Sequence, residues 1–457
     1  MLPWFFHRPI LLEMGTCLSA LGSALAYVII NKNPSDENYR LKLGAIGVAT
    51  LAYLLIPETV RLIPPQIVWR SALERRARAL PRKSKTWEDA TRTCGPATNE
   101  QYVVIGGAGF IGHRIVHALR LRGERRIRVV DVDKTALDEM KKMYSESFDY
   151  IVAEITDREA MMRVMTGANC VYAPVSVIRY WEVYQKHWPR SLKVNVDGMR
   201  NIVEACLAHG VSRLVTTGSS AAIEAWPGYE PEGIDDFTPR VTEKNYLANY
   251  MLSKSLQEQV ALPANGRNNL AVSCIRPCSS VWGYGDKLAL GIGIKSGMYP
   301  CLSATNAVDF VHVDVVVLAH LLLEAKLRNG PQDPAAGQAY CISNGEALEE
   351  GVFSVLLEQA AKANGIKMKV AFLPSRIVWV LSFFMSVFDY IYPGDTCKLL
   401  GRDLGMLTVP TVLNASHSLV VRNMNRAKEL FGFEPHISIG AAADRTMEEY
   451  RRGEIMM

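Results

Sequence analysis

The sequence predicts an α/β protein: a doubly wound parallel sheet with a smaller C-terminal region, preceded by an apolar N-terminal hairpin. Three observations carry this. From Gln101 onward, short β-rich runs alternate with amphipathic stretches, as strands joined by crossover helices do. A glycine-rich stretch, "VVIGGAGFIG" at 103–112, stands where the first strand would turn into the first helix. Two apolar runs lie within residues 1–66.

The first apolar run, Ile10 to Ile30, carries one charge, Glu13, and is long enough to span a bilayer. It continues into a second run and so does not read as a cleavable signal. The second run is uncharged only over residues 43–56, before Pro57 and Glu58, which is short for a full span. A polar loop, Asn31 to Lys42, separates them. Then comes "RSALERRARALPRKSK", Arg70 to Lys85, with seven Arg or Lys against one acid, Glu74. A basic excess after an apolar segment places that side in the cytosol. Residues 1–66 are therefore expected to form a membrane hairpin and 67–100 a basic linker, with the body facing the cytosol. A soluble helical hairpin is the alternative for the first segment, and contact with an anionic membrane surface the alternative for the second.

The strands read as 102–107, 126–133, 150–155, 170–175, 213–220 and 270–277, with helices between most of them, including 110–123 and 191–209. Together they make a dinucleotide-binding region of Rossmann type over residues 101–280. Residues 281–457 are less regular and read as a substrate-binding region. Within them Phe372 to Tyr392 is strongly apolar, either a buried helix or one lying in a membrane interface. Residues 425–452 read as two short amphipathic helices.

Net charge is only +5 over 457 residues, which does not indicate a nucleic-acid partner. Nine dispersed cysteines without Cys-x-x-Cys suit reduced thiols in a cytosol-facing compartment. No metal-binding spacing occurs, so no metal is expected.

In the glycine stretch, Gly106 permits a tight turn, Gly109 lets the backbone approach a pyrophosphate at a helix N-terminus, and Gly112 lets helix and strand pack closely. Asp131 follows Gly112 by 19 residues, at the end of the second strand. A carboxylate there accepts bonds from ribose hydroxyls and repels a 2′-phosphate, which favours NAD. Arg114 and Lys134 lie near enough in sequence to leave NADP open. Further on, "YMLSK" sets Tyr250 and Lys254 on one helix face. The spacing alone leaves open a solvated face or a catalytic pair.

"GGAGFIG" resembles the nucleotide motif of the extended short-chain dehydrogenase/reductases, with Ile105 in place of the usual threonine. "NVDGMRNIVEAC" (195–206), "TTGSSAAI" (216–223), "YMLSK" and "IRPCSSVWGYGD" (275–286) follow in the order that family has them. Met199 stands in place of threonine and Ser279 in place of glycine. "VDFVHVDVVVLAHLLL" (308–323) and the apolar Phe372 to Tyr392 stretch resemble the 3β-hydroxysteroid dehydrogenase branch. Within it the similarity is greatest to the decarboxylating sterol-4α-carboxylate 3-dehydrogenases. The resemblance implies Tyr250 as general base, Lys254 lowering its pKa, and Ser220 on the substrate oxygen, with Ser219 as the rival assignment. It implies that Asn195 holds a relay water. It implies a cofactor site of Gly106, Gly109, Phe110, Ile111, Gly112, Asp131, Tyr250, Lys254, Pro277 and Cys278. Two loops depart from the family, Ala153-Glu154-Ile155 and "YAPVS" (172–176). The implied activity is NAD-dependent oxidation of a sterol 3β-hydroxyl, with decarboxylation of a 4α-carboxylate. A lipid-soluble sterol, a membrane and a homodimer are the partners it allows. The endoplasmic reticulum membrane is the expected location, with lipid droplets as the other surface. The rival readings are an isomerising steroid dehydrogenase, a reductase of a phenolic or sugar-nucleotide substrate, and a non-catalytic subunit of this fold.

Overall fold

The computed structural model describes residues 70–144, 148–179, 188–225, 233–288, 290–302, 304–373 and 420–457, with isolated positions between 378 and 385. The chain divides into two compact units, and the larger comprises Leu73–Leu373 and Leu381–Met457. The smaller unit, Met1–Ala72 with Pro374–Val380, holds the expected hairpin, which lies outside the described residues. So does most of 372–392, although Phe372 itself closes a short strand, Lys369–Phe372. Among the described residues no helix is long and apolar enough to cross a membrane.

The larger unit is built on seven strands: β1 Tyr102–Ile105, β2 Ile127–Asp131, β3 Asp149–Val152, β4 Cys170–Ala173, β5 Arg213–Thr217, β6 Ala271–Pro277 and β7 Ala339–Ile342. They pair in the order β7-β6-β5-β4-β1-β2-β3, every pair parallel. Parallel strands covered on both faces need continuous apolar sequence. "YVVI" of β1 and "CVYA" of β4 are accordingly buried at every position. The strand order reverses between β1 and β4, which opens a crevice at the carboxyl ends of those strands.

Five of the six expected strands stop before the sequence suggests, the sixth ending at Pro277 as expected. Residues 106–107, 132–133, 153–155, 174–175 and 218–220 lie beyond the last residue of their strands. These are the loops that rim the crevice.

Residues 281–457 do not stand apart from the nucleotide-binding region, because β7 extends the sheet beyond β6 with Tyr340 opposite Ile275. Nor is 73–100 a free linker. Leu73, Ala77, Trp87 and Cys94 are buried. The Lys85 N–H donates to the His436 carbonyl at 2.7 Å, and the Ser438 N–H to the Lys83 carbonyl at 2.8 Å. Three of the basic side chains meet carboxylates of the same unit: Arg76 with Glu349 at 2.8 Å, Arg82 with Asp444 at 2.7 Å and Lys85 with Glu434 at 3.6 Å. Exposed pairs of this kind contribute only about 0–1 kcal/mol each, but they leave less positive charge for an anionic surface.

Three helices are tied to one another by buried charge: α1 Phe110–Leu121, α4 Val313–Leu327 and α5 Ile439–Arg452. Two others, α2 Gly198–Ala208 and α3 Asn249–Ala261, come between α1 and α4 in the chain. Arg114 of α1 is buried and donates to Asp314 of α4 at 2.5 Å and to Glu449 of α5 at 2.9 Å. Arg445 lies 2.7 Å from the other Asp314 oxygen. Arg114 is thus committed to the protein interior and does not face a ribose phosphate, which corrects the expectation that it leaves NADP open. Lys134 remains exposed at the start of the helix after β2.

Candidate functional site

The glycine turn is shaped by backbone contact. Gly106 has φ +76°, a left-handed conformation that a side chain would strain. Its N–H and that of Gly107 both donate to the Val130 carbonyl, at 2.8 and 3.0 Å, tying the turn to β2. A Cβ on Gly112 would lie 2.1 Å from the Gly106 carbonyl oxygen, so α1 can approach β1 only with glycine there. Gly107, which the sequence reading passed over, is equally confined: its Cβ would lie 2.6 Å from Val129 Cγ1. Gly109 caps α1 from an extended conformation and is exposed. The first turn of α1, with Phe110 and Ile111, leaves N–H groups without intrahelical acceptors. Asp131 ends β2 beside this turn. One carboxylate oxygen accepts from the Ala108 N–H at 3.1 Å and the other from the Asp133 N–H at 3.1 Å.

Across the crevice, β5 is followed by Gly218-Ser219-Ser220, and α3 brings up Tyr250 and Lys254. The helix face they share is not solvated: Tyr250 is 5% exposed and Lys254 1%. The Tyr250 hydroxyl meets the side chains of Ser219 and Ser176. Burial pushes the phenol well above its ordinary range, the two serines pull it back, and the Glu224 carboxylate adds to the rise.

Of the two serines weighed from sequence, Ser219 is therefore the one on Tyr250. Ser220 opens a 3₁₀ turn, Ser220–Ala222. Its hydroxyl donates to Glu224 at 2.5 Å and accepts from the Ser279 N–H at 3.1 Å. Glu224 is buried, and desolvation lifts its carboxyl to about 7 against the pull of that serine. Ser279, where glycine is usual, holds φ +51°, which explains why a residue without a side chain suits the position.

Lys254 departs from expectation as well. Its ammonium donates to the Thr217 carbonyl at 2.9 Å and to Gln257 Oε1 at 2.8 Å. Burial lowers its pKa to about 8, with Cys274 and Glu258 opposing that shift. The groups acting on the Tyr250 phenol are Ser219, Glu224 and Ser176, so the lysine is turned toward β5.

Asn195 lies in a π-helical turn, Lys193–Asp197, just before α2, an irregularity common at functional sites. Its Oδ1 accepts from the Val177 N–H at 2.8 Å and from Ser176 Oγ at 3.2 Å. Its Nδ2 donates to the Val177 carbonyl at 3.0 Å and to Ser253 Oγ at 2.9 Å. Asn195 thus reaches Tyr250 through Ser176, clamping the loop after β4 to α3. Pro277 ends β6 opposite Ile342. Cys278 follows it, wholly buried among Ile223, Ile234 and Cys341.

Sequence reasoning did not find Ser176, Glu224 or Gln257. Ser176 had a signal, since it sits in the loop "YAPVS" that departs from related sequences. Glu224 and Gln257 belong to no motif, and only the fold brings them to the site.

The profile of the 3-beta hydroxysteroid dehydrogenase/isomerase family matches residues 103–373. The chain is 26% identical over 375 residues to 3beta-hydroxysteroid-dehydrogenase/decarboxylase isoform 2 of Arabidopsis thaliana, a match spanning 77% of this chain and 62% of that protein. It is 27% identical over 376 residues to isoform 1 of the same plant, spanning 77% and 80%. Among solved structures it resembles MoeE5 in complex with UDP-glucose and NAD, with TM-score 0.53 and 22% identity over 77% of this chain and 99% of that one. At that identity the structural likeness speaks for the fold.

Proposed function

We propose, since the chain belongs to the 3-beta hydroxysteroid dehydrogenase/isomerase family, that it is an NAD-dependent oxidoreductase acting on the 3β-hydroxyl of a sterol or steroid. The substrate we assign is a sterol 4α-carboxylate, whose 3-keto product is a β-keto acid able to lose carbon dioxide. The observation that carries the reading is the Tyr250 phenol held on Ser219 and Ser176 at the same sheet edge as the glycine turn.

The residues fit the cofactor. A Cβ would collide with the turn at Gly112 and be strained by the positive φ at Gly106, and α1 offers N–H groups to a pyrophosphate. Asp131 uses two acceptor positions on the protein out of roughly four on a carboxylate, which leaves capacity for ribose hydroxyls. Bound NAD supplies the acceptor for the hydride from C3. Tyr250 acts as the phenolate, having first given up its own proton, and takes the hydroxyl proton while Ser219 holds the oxygen that loses it. Asn195 keeps Ser176 in place against the phenol. Ser220 is assigned to Glu224 and not to the substrate.

We propose further that the hairpin 1–66 anchors the protein in the endoplasmic reticulum membrane with the body in the cytosol. A lipid-soluble sterol and the apolar runs of the sequence support that placement.

The test is a panel: detergent-solubilised full-length protein given NAD or NADP, with a sterol 4α-carboxylate, its 4-demethylated 3β-hydroxysterol, or a sugar nucleotide. Reduced cofactor is expected with NAD and the sterol acid. Turnover confined to the sugar nucleotide, or to NADP, would reject the substrate or the ribose assignment respectively.

A further inference from the structure

An ammonium has three N–H donors and no acceptor. In Lys254 two of them are spent within the protein, on the Thr217 carbonyl and on Gln257 Oε1, and among the described residues the third has no partner. Gln257 stands one turn along α3 from Lys254 and is itself buried. Because the ammonium only donates, the Gln257 amide has to present its oxygen to it.

We propose that Gln257 is a positioning residue for Lys254: its amide oxygen and the Thr217 carbonyl form a two-acceptor cradle that keeps the ammonium charged and aims its third N–H into the cofactor crevice. The inference rests on Lys254 belonging to the cofactor site, as the family resemblance implies.

Apart from these two contacts, the nearby charge that favours the ammonium is the Glu258 carboxylate, which acts on it without touching it. On α3, Glu258 is taken by Arg276 of β6 in a two-pronged pair at 2.8 and 2.7 Å. The Tyr250 phenol, also on α3, is pushed well above its ordinary range and stays neutral. From β6, burial raises the Cys274 thiol to about 12, so it too stays neutral. From α4, His320 faces the Thr217 hydroxyl at 2.7 Å, and burial lowers its pKa to about 4. The neutral oxygens of Thr217 and Gln257 are therefore the groups in direct contact that favour the charged lysine. A hydrogen bond to the charged form raises a lysine's pKa. Removing the acceptor lowers it further, and replacing the amide by a carboxylate raises it.

The experiment measures NADH affinity by fluorescence from about pH 6 to about pH 10. It uses the full-length wild type, Gln257→Met, Gln257→Glu and Lys254→Met, each checked for folding by thermal unfolding. NADH binding needs no sterol, so this outcome is independent of the substrate assignment. Wild-type affinity is expected to fall as Lys254 loses its proton near about pH 8. The break should move down by about one pH unit or more in Gln257→Met, move up by a similar amount in Gln257→Glu, and vanish in Lys254→Met. Shifts of the same sign in the two Gln257 variants, or a break that stays in place, would overturn the proposal. A wild-type profile without a break would overturn it too, even if the sterol acid is turned over.

Discussion

Tyr250→Phe is expected to lower single-turnover NADH formation by about two to four orders of magnitude, the usual worth of a positioned acid or base. The substitution removes one oxygen from a ring that is already buried, so packing is nearly unchanged. Ser219 and Ser176, both half-buried, each lose a partner but keep Ala221 and Asn195 respectively, so the cost falls below the about 1–3 kcal/mol of a buried group left unsatisfied. The melting temperature should fall modestly, and NAD affinity should hold. The wild-type rate should rise with pH through the neutral range, because burial and the Glu224 charge both disfavour the phenolate. Ser219→Ala should reduce the rate more than Ser220→Ala, because Ser219 is the serine on the phenol. Ser220→Ala instead deprives Glu224 of the hydroxyl that pulls its carboxyl down from the effect of burial. Comparable rates in wild type and Tyr250→Phe would remove the tyrosine from the chemistry.

Arg114→Leu should destabilise the protein by about 3–5 kcal/mol, since removing one partner leaves buried charge uncompensated. Asp314 and Glu449 are both fully buried. The Arg445 contact with Asp314 keeps the cost toward the lower end. Arg114→Lys should not rescue, because one ammonium cannot reproduce the guanidinium fork that bridges α4 and α5. Replacing Arg114, Asp314 and Glu449 together by apolar residues of similar volume should recover part of the loss, the remainder being held back by Arg445, which then loses its own partner Asp314. Denaturant unfolding of the three variants is the check. NAD affinity should fall with Arg114→Leu beyond the loss of stability, because α1 begins at the glycine turn.

The sheet and its cofactor edge were legible in the sequence because their signals are local. A strand, three glycines, a helix and Asp131 lie within thirty residues of one another in the chain. Strand ends were read too long, since "VVIGG" and "TTGSS" stay small or apolar past the last ladder pair. Which of Ser219 and Ser220 faces Tyr250 was not legible: neighbouring residues in extended chain point to opposite sides, and the 3₁₀ turn that decides between them has no motif. Arg114 left NADP open in the sequence because its two carboxylates are 200 and 335 residues away. Charge made 70–85 look like a linker, yet Leu73 and Ala77 mark the buried face of the helical segment within it. The lysine that turns toward Thr217 also donates to Gln257, a residue that spacing gave no reason to single out.

The central claim is that this site takes a hydride from the carbon bearing a sterol's 3β-hydroxyl. It is tested most directly by giving full-length protein NAD and a sterol 4α-carboxylate deuterated at C3, then weighing both products. Deuterium in the reduced nicotinamide, together with a 3-ketone that has lost carbon dioxide, is the expected result. A sterol that keeps its deuterium and its carboxyl group while NAD remains oxidised would contradict it.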